Sequence, residues 1–245
     1  MSSHPNSILG VSLTTVSTGN EELDTRLGGG LPFPSLIVIE GDNGTGKTVL
    51  CTQFAYGLLG NGRRVLYITT ENSVRGLLEQ SRNISLDLTD YFLKGLLSIV
   101  PAHMENIRWN KTLVRLVVDA IVNFIKYKSS RFEVFIIDSL SILASYLNKE
   151  ILHRLLSELK SIVKKGKMII ITLHSSIIRE DVMKEFAATA DVYFKLSLAE
   201  VGGRSVKAMS IIKIRGAPSI AETLIAFDID PAFGIKIVPV ALAKA

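Results

Sequence analysis

Short apolar runs punctuate the chain. Leu36–Ile39, Val134–Ile137 and Met168–Ile171 are rich in branched residues and bounded by polar or glycine positions. That pattern reads as strands buried on both faces, because a half-exposed strand would alternate apolar and polar side chains. It predicts strands over Leu36–Glu40, Arg64–Thr69, Leu97–Val100, Glu133–Ile137 (ending at Asp138) and Lys167–Thr172. Between them the apolar spacing becomes helical. Thr48–Leu59 carries Leu50, Phe54, Leu58 and Leu59 on one side. Val74–Ser81 is a second helix, with Asn72 or Ser73 as its N-cap. Lys111–Ile125 places Leu113, Leu116, Val117, Ala120, Ile121 and Phe124 at helical spacing. Glu150–Lys164 turns Ile151, Leu155, Leu156, Leu159 and Val163 inward, and its lysine-rich end suits the helix dipole.

The rhythm changes after Asp191. Val192–Leu198 and Val206–Ile214 flank Glu200–Arg204, whose Gly202-Gly203 pair suits a hairpin, and strands follow near Leu224–Ile229 and Ile235–Val238. Strands alternating with helices argue a parallel sheet. The prediction is one α/β domain over residues 1–245: a mainly parallel sheet flanked by helices, extended by C-terminal antiparallel strands. Met1–Thr18, polar and rich in small residues, reads as loosely ordered.

Composition narrows the picture. The 245 residues are 47% hydrophobic and 21% charged with a net charge of +5, which excludes disorder as the main state. A mean hydropathy of +0.33 raises the question of a membrane span, but the apolar runs fall far short of the ~20 residues a span needs. The first ten residues lack the basic segment and long apolar run of a signal peptide. A single cysteine, Cys51, excludes an intrachain disulfide, fits a reducing cytoplasm, and reads as a packed side chain. The four histidines are too scattered for a zinc site. A pI near 9.3 keeps an acidic partner open: nucleic acid, anionic lipid or nucleotide. Met104 and Trp109 fall in a polar connection and read as exposed.

The chemistry concentrates in Gly41-Asp-Asn-Gly-Thr-Gly-Lys47-Thr48, which matches G-x-x-x-x-G-K-[ST] between a strand and a helix. Its glycines let backbone N–H groups converge on phosphate oxygens, and the helix N-terminus adds a favourable dipole. Asn43, Gly44, Thr45, Gly46, Lys47, Thr48 and Val49 are the candidate nucleotide cradle. Lys47 would bridge the β- and γ-phosphates of ATP, and Thr48 would bind Mg²⁺. Asp138, at the C-terminal end of an apolar strand, would hold the metal's hydration shell, although a turn or N-cap role is common for such an Asp. The next residue is Ser139, so a water-activating carboxylate must come from elsewhere. Glu71 is the candidate, as general base or as a helix-capping carboxylate. His174, just past a strand end, is a γ-phosphate sensor or a locally satisfied histidine.

Three further stretches carry a resemblance. Ser17–Asp24 followed by Leu27-Gly-Gly-Gly-Leu31, Ile211-Ile-Lys-Ile-Arg-Gly216, and Phe227–Ile235 resemble segments of the RecA-like KaiC family. The resemblance covers Val16–Val240 and implies a RecA-like P-loop fold. It also implies a homo-oligomeric ring whose nucleotide sites a neighbour completes. Lys213 and Arg215 fall on residues that reach a neighbour's γ-phosphate in such rings. From the sequence alone they are also solvated charges on one face of a strand. Arg82 and Asn83 match the segment beside the adenine, and Asp230 lies near the neighbour's base-contacting loop. The segment Tyr67–Asn72 is most similar to single-domain members that bind ATP at the cytoplasmic base of the archaeal flagellum, the archaellum, as partners of its motor ATPase and, through it, of the membrane-embedded motor. Hydrolysing members carry two adjacent glutamates where this chain has Glu71-Asn72. The departure implies firm ATP·Mg²⁺ binding and slow or undetectable hydrolysis. A DNA-dependent ATPase related to the recombinases and a KaiC-like autokinase are the alternatives. Against the first, no glycine falls between Gly166 and Gly202, where flexible DNA-binding loops would lie, and Glu180–Ala188 reads as a short helix. Against the second, a duplicated domain is missing.

Overall fold

Pairing begins at the N-terminal end, in a computed structural model that describes residues 7–8, 11–12, 14–104, 107–201, 203–215 and 223–239. Strand β1 (Ser7–Ile8) pairs antiparallel with β2 (Val11–Ser12), and β3 (Thr14–Val16) with β4 (Leu31–Phe33). Helix α1 (Glu21–Arg26) lies between β3 and β4. The loose segment expected through Thr18 is therefore a strand from Thr14 to Val16. A local network explains the order. Asp24 accepts hydrogen bonds from Ser17 Oγ (2.5 Å), Thr18 N (2.8 Å) and Thr18 Oγ1 (2.6 Å), and Asn20 caps α1 at Leu23 N.

Among the described residues the central sheet has nine strands. Those in parallel are β5 (Leu36–Gly41), β6 (Val65–Thr69), β7 (Leu97–Pro101), β8 (Val134–Asp138), β9 (Met168–Leu173) and β10 (Val192–Val201). Then β11 (Arg204–Ile214), β12 (Leu224–Asp230) and β13 (Gly234–Val238) continue antiparallel. The order is β13-β12-β11-β10-β5-β9-β8-β6-β7, so β5 sits near the middle with β9 and β10 on its flanks. The β10–β11 hairpin closes around the expected turn, of which Gly203 is among the described residues and Gly202 lies outside them.

Helix α2 (Lys47–Gly60) follows β5 and is buried along most of its length. Its Gly57 lets the N-terminal segment approach: a Cβ there would stand 2.1 Å from the Thr18 carbonyl carbon. Gln53 Nε2 donates to Thr18 O at 3.0 Å. Helix α3 (Val74–Asn83) takes Ser73 rather than Asn72 as its N-cap, through a 3.0 Å bond from Gly76 N. A short α4 (Thr89–Leu93) precedes β7.

Helices α5 (Lys111–Lys128), α6 (Ser141–Ser145), α7 (Lys149–Lys164) and α8 (Glu180–Thr189) follow. Two large cores result among the described residues, one centred on α2 and the other under α5 to α8, besides a small cluster of Val206 and Ala226. The inward residues expected of α7 are all buried. In α5 the buried stripe is Val114, Val118, Val122 and Ile125, with Val117, Ile121 and Phe124 flanking it. Leu116, read as part of the apolar face, is 59% exposed. Met104 is buried, and Trp109 stacks on Tyr146 with ring centroids 5.7 Å apart, so this connection is tied to the body rather than solvated.

Candidate nucleotide site

The loop Gly41–Gly46 joins β5 to α2 at the C-terminal end of the parallel strands, where ligands of open α/β sheets bind. Gly46 adopts φ 96°, a left-handed conformation that side-chain-bearing residues avoid, and begins α2 without a side-chain cap. The first N–H groups of α2 are thus presented to an anion. Lys47 is buried and turned back on its own loop. Its Nζ donates to Gly41 O and Asp42 O, both at 2.8 Å, and lies 3.3 Å from His174 Nδ1. Burial pulls the Lys47 pKa down, while Asp138, Glu71 and Asp42 oppose the shift by favouring the ammonium.

The chain of contacts continues through His174. Its Nε2 lies 3.3 Å from Glu71 Oε1, and its backbone N donates to Ser141 Oγ at 2.9 Å. The ammonium at Nδ1 has no lone pair, so Nδ1 acts as acceptor and the ring proton sits on Nε2, facing the carboxylate. The His174 hydrogen bond is the first cause holding the Glu71 carboxyl below its ordinary range. Glu71, His174, Asn43 and Ser139 line one cavity of 360 Å³. A second, of 470 Å³, is lined by Thr48, Val49, Glu71, Asn72 and Asn83 among others. Glu71 borders both.

Asp138 is fixed from two sides. Tyr67 OH donates to Oδ2 at 2.8 Å and Thr172 Oγ1 donates to Oδ1 at 2.7 Å. Each oxygen keeps a lone pair free, as a carboxylate holding a metal's water shell requires. Burial and the neighbouring Asp138 charge push the Tyr67 hydroxyl pKa well up, so it stays a donor. The loop itself is pinned by Asp42 Oδ1, which accepts from Ser175 Oγ (2.7 Å) and Ser176 N (3.1 Å). Burial also raises the Cys51 thiol, which agrees with a packing role.

Sequence reading missed Tyr67, Thr172, Asp42 and Ser175, because each is a polar atom whose partner lies far along the chain. It also missed Lys207, whose stem crosses the loop: a Cβ at Gly46 would meet its Cδ at 3.1 Å.

The remaining candidates stand apart. Arg82 Nη2 donates to Thr89 Oγ1 at 3.1 Å and its Nε lies 3.6 Å from Asp87, on the surface beside Asn83. Asp230 ends β12 and caps the following turn through Ala232 N at 2.8 Å. That turn touches the α3–α4 connection, where Ser85 Oγ donates to Pro231 O at 2.7 Å. Lys213 and Arg215 lie at the opposite end of the sheet from the loop, where Ile214 pairs with Val192 and Val192 with Ile37. Lys213, read as reaching a neighbour's γ-phosphate or else as a solvated charge, is half-buried and donates to Ala187 O (3.2 Å) and Ala188 O (2.9 Å) at the end of α8. Arg215 Nη1 is 4.0 Å from Asp191. Gly216 lies outside the described residues.

Comparison with known proteins is consistent over most of the chain. The family model described as "ATPase: KaiC" matches residues 16–241. The archaeal flagellar ATP-binding protein FlaH of Sulfolobus acidocaldarius is 43% identical over 94% of this chain and 99% of its own. The circadian clock oscillator protein KaiC of Parathermosynechococcus lividus is 27% identical over 82% of this chain, which spans 37% of that longer protein. The crystal structure of the flagellar accessory protein FlaH from Methanocaldococcus jannaschii superposes with a TM-score of 0.82 at 27% identity, covering 93% of this chain and 100% of that one.

Proposed function

Since the chain belongs to the KaiC family of ATPases, in its archaeal flagellar FlaH branch, we propose that it is a cytoplasmic ATP-binding subunit of an archaellum motor. On this reading ATP assembles it into a ring that docks on the motor ATPase, and so holds it at the inner face of the cell membrane. The observation that carries the proposal is the Lys47–His174–Glu71 chain at the mouth of an uncapped helix N-terminus. Without nucleotide, Lys47 satisfies its ammonium with loop carbonyls. Phosphate oxygens are stronger acceptors for that ammonium, so binding draws Lys47 off Gly41 O and Asp42 O and frees His174 Nδ1. His174 is thereby set to report an occupied γ-phosphate position to Glu71.

Thr48 and Asp138 are the residues that would hold Mg²⁺, which supplies neutralisation of the phosphate charge. Asn83 lines the cavity next to Thr48 and Val49, with Arg82 beside it, on the side assigned to the base. Asp230 is assigned to the base of an adjacent subunit. Hydrolysis needs a proton acceptor beside the attacking water. Glu71 is the carboxylate available, its basicity is reduced by His174, and Asn72 accepts no proton. Turnover should therefore fall well below the enzyme median of about 10 s⁻¹.

Lys213 and Arg215 are too far along the sheet to serve their own loop, so their proposed ligand is the γ-phosphate of the next subunit. Two cations desolvated against a γ-phosphate favour assembly with ATP over ADP. Light scattering with and without ATP·Mg²⁺, followed by capture on the motor ATPase, tests the assignment. The parent should assemble with ATP and Lys213→Ala/Arg215→Ala should not, although both should bind ATP. Equal assembly of the two proteins would return these cations to a structural role at the end of α8.

A further inference from the structure

The end of the sheet opposite the nucleotide loop is strongly basic. Register places the first residues of β7, β6, β8 and β9 side by side: Val65 pairs with Leu97 and Val134, and Val134 with Met168. The helix-to-strand junctions feeding these strands and β10 are residues 61–64, 94–96, 126–133, 164–167 and 190–191. They hold nine of the chain's 28 basic residues and two of its 23 acidic ones. These junctions therefore carry +7 against −2 for the rest of the chain, with two of their cations paired to acids beside them, Lys94 to Asp90 at 3.6 Å and Lys126 to Glu158 at 2.7 Å. The two acids of the junctions are already engaged. Glu133 accepts from Arg64 N at 2.8 Å and lies 3.8 Å from Arg63, and Asp191 accepts from Lys160 at 2.6 Å. Cations at helix C-termini complement the dipoles of α2, α4, α5 and α7. That effect falls off within a turn of the helix end: it covers Lys165, the C-cap of α7, but not Arg64, which lies past the C-cap of α2.

Two apolar side chains protrude among these charges. Leu93, ending α4, is 75% exposed, and Tyr127, in the last turn of α5, is 76% exposed. Their junctions are tied together by Arg131 Nη2, which donates to Gly95 O at 3.4 Å. Lys128 Nζ sits 5.2 Å from the centre of the Tyr127 ring. A broad cationic end with a protruding Leu and Tyr matches an anionic lipid surface. Lysine and arginine meet the headgroups there, while a tyrosine ring and an aliphatic side chain enter the interface. A single-stranded nucleic acid fits less well, because its recognition stacks bases on rows of aromatic residues interleaved with the charges, and a duplex would make no use of the protruding Leu93 and Tyr127.

We propose that this basic end, through Lys164, Lys165 and Arg64 with Leu93 and Tyr127, docks directly on a membrane surface rich in anionic lipid. The inference stands on this end alone and needs neither the ring nor the motor ATPase. Docking would leave the nucleotide loop, at the other end of the strands, facing away from the lipid.

The test is co-sedimentation of the full chain with vesicles about one-third anionic phospholipid, against wholly zwitterionic vesicles, at about 0.05 M and 0.5 M salt. The expected result is retention on the anionic vesicles at low salt and release at high salt. Lys164→Glu/Lys165→Glu should weaken retention at least tenfold, since each cation near such a surface contributes about fivefold. Leu93→Ser/Tyr127→Ser should weaken it severalfold at unchanged charge. Both variants should bind ATP as the parent does, which certifies their folding, and Lys164→Gln/Lys165→Gln serves if the charge reversal fails that check. Absence of the parent from anionic vesicles would overturn the proposal, as would retention indifferent to the lysine pair. Retention insensitive to Leu93 and Tyr127, and abolished by a short single-stranded oligonucleotide, would assign this end to an acidic macromolecule instead and overturn the lipid docking.

Discussion

The parallel half of the sheet and its antiparallel extension use the same strand chemistry for different ends. In β5, β6, β8 and β9 every residue is buried, and each polar side chain there that makes a hydrogen bond finds its partner within the protein: Glu40 in Tyr193, Thr69 in Asn72 N, and the rest in one another. Tyr67, Asp138 and Thr172 come from three different strands and meet in one hydrogen-bonded set. In β11 burial is mixed: Val206, Ala208, Met209 and Ile211 are buried among exposed and half-buried positions. The extension reaches the site by its side chains' stems: Lys207 and Phe227 lie against Gly46, and Gly234 lies against Gln53 and Leu86. The contrast teaches that helices on both faces force polar groups to find protein partners, whereas a strand with one open face can leave its charges to water or to another molecule.

The sharpest way to break this contrast is Lys47→Ala. Removing a charge-assisted phosphate contact in a largely desolvated loop costs about 2–5 kcal/mol of binding. ATP affinity by calorimetry should fall at least thirtyfold, while the chain stays folded. Unchanged affinity would mean that the converging polar set in the parallel half does not serve a nucleotide.

How legible this was depends on the kind of signal. The buried strands announced themselves as unbroken apolar runs, and the loop Gly41–Thr48 is a motif whose spacing is its mechanism. Asp138 was readable because a carboxylate ends an apolar strand. The partners that hold it were not, since Tyr67 and Thr172 look like ordinary strand residues, separated from Asp138 by 71 and 34 positions. Helices α1, α4 and α6 have five or six residues, too few for a helical period to show. In α5 apolar residues cover more than half of the circumference, so the sequence located the face but not its centre, which packing against α7 decides. The half-burial of Lys213 was not readable, because the strand alternation said nothing about the end of α8, whose carbonyls it satisfies.

Thr172→Val sharpens the comparison at intermediate cost. The substitution keeps the shape and removes the donor to a buried carboxylate, leaving Asp138 Oδ1 short of a partner. The expected loss is about 1–3 kcal/mol, read as a lower denaturant midpoint. The counterpart in the extension is Ser210→Ala on β11, half-buried on the face away from α2, where the expected change is within about 0.5 kcal/mol. Equal effects at the two positions would show that the polar set around Asp138 is no more interdependent than the strand edge.

The smallest effect concerns Asp42, which joins the loop to the segment after β9. Its carboxyl is held below its ordinary value, first by the Ser175 hydrogen bond and further by Ser176 and by the charge of Lys47. A depressed carboxyl contributes stability that is fully present above the unfolded pKa, near 3.8, and is lost as pH falls through the folded one. The parent should therefore lose this contribution only in acid, below about pH 4, and keep it at neutral pH. Asp42→Asn keeps an acceptor oxygen for Ser175 and Ser176 but has no charge to titrate. Its neutral-pH stability should sit slightly below that of the parent, and the gap should close as the solution is acidified. The group is almost wholly solvated, so screening keeps the difference small and salt reduces it further. Urea midpoints taken from pH 7 down to pH 3 supply the measurement. A gap that stays constant with pH would place the cost in hydrogen-bond geometry rather than charge, and would remove the electrostatic tie between the loop and the segment that carries His174.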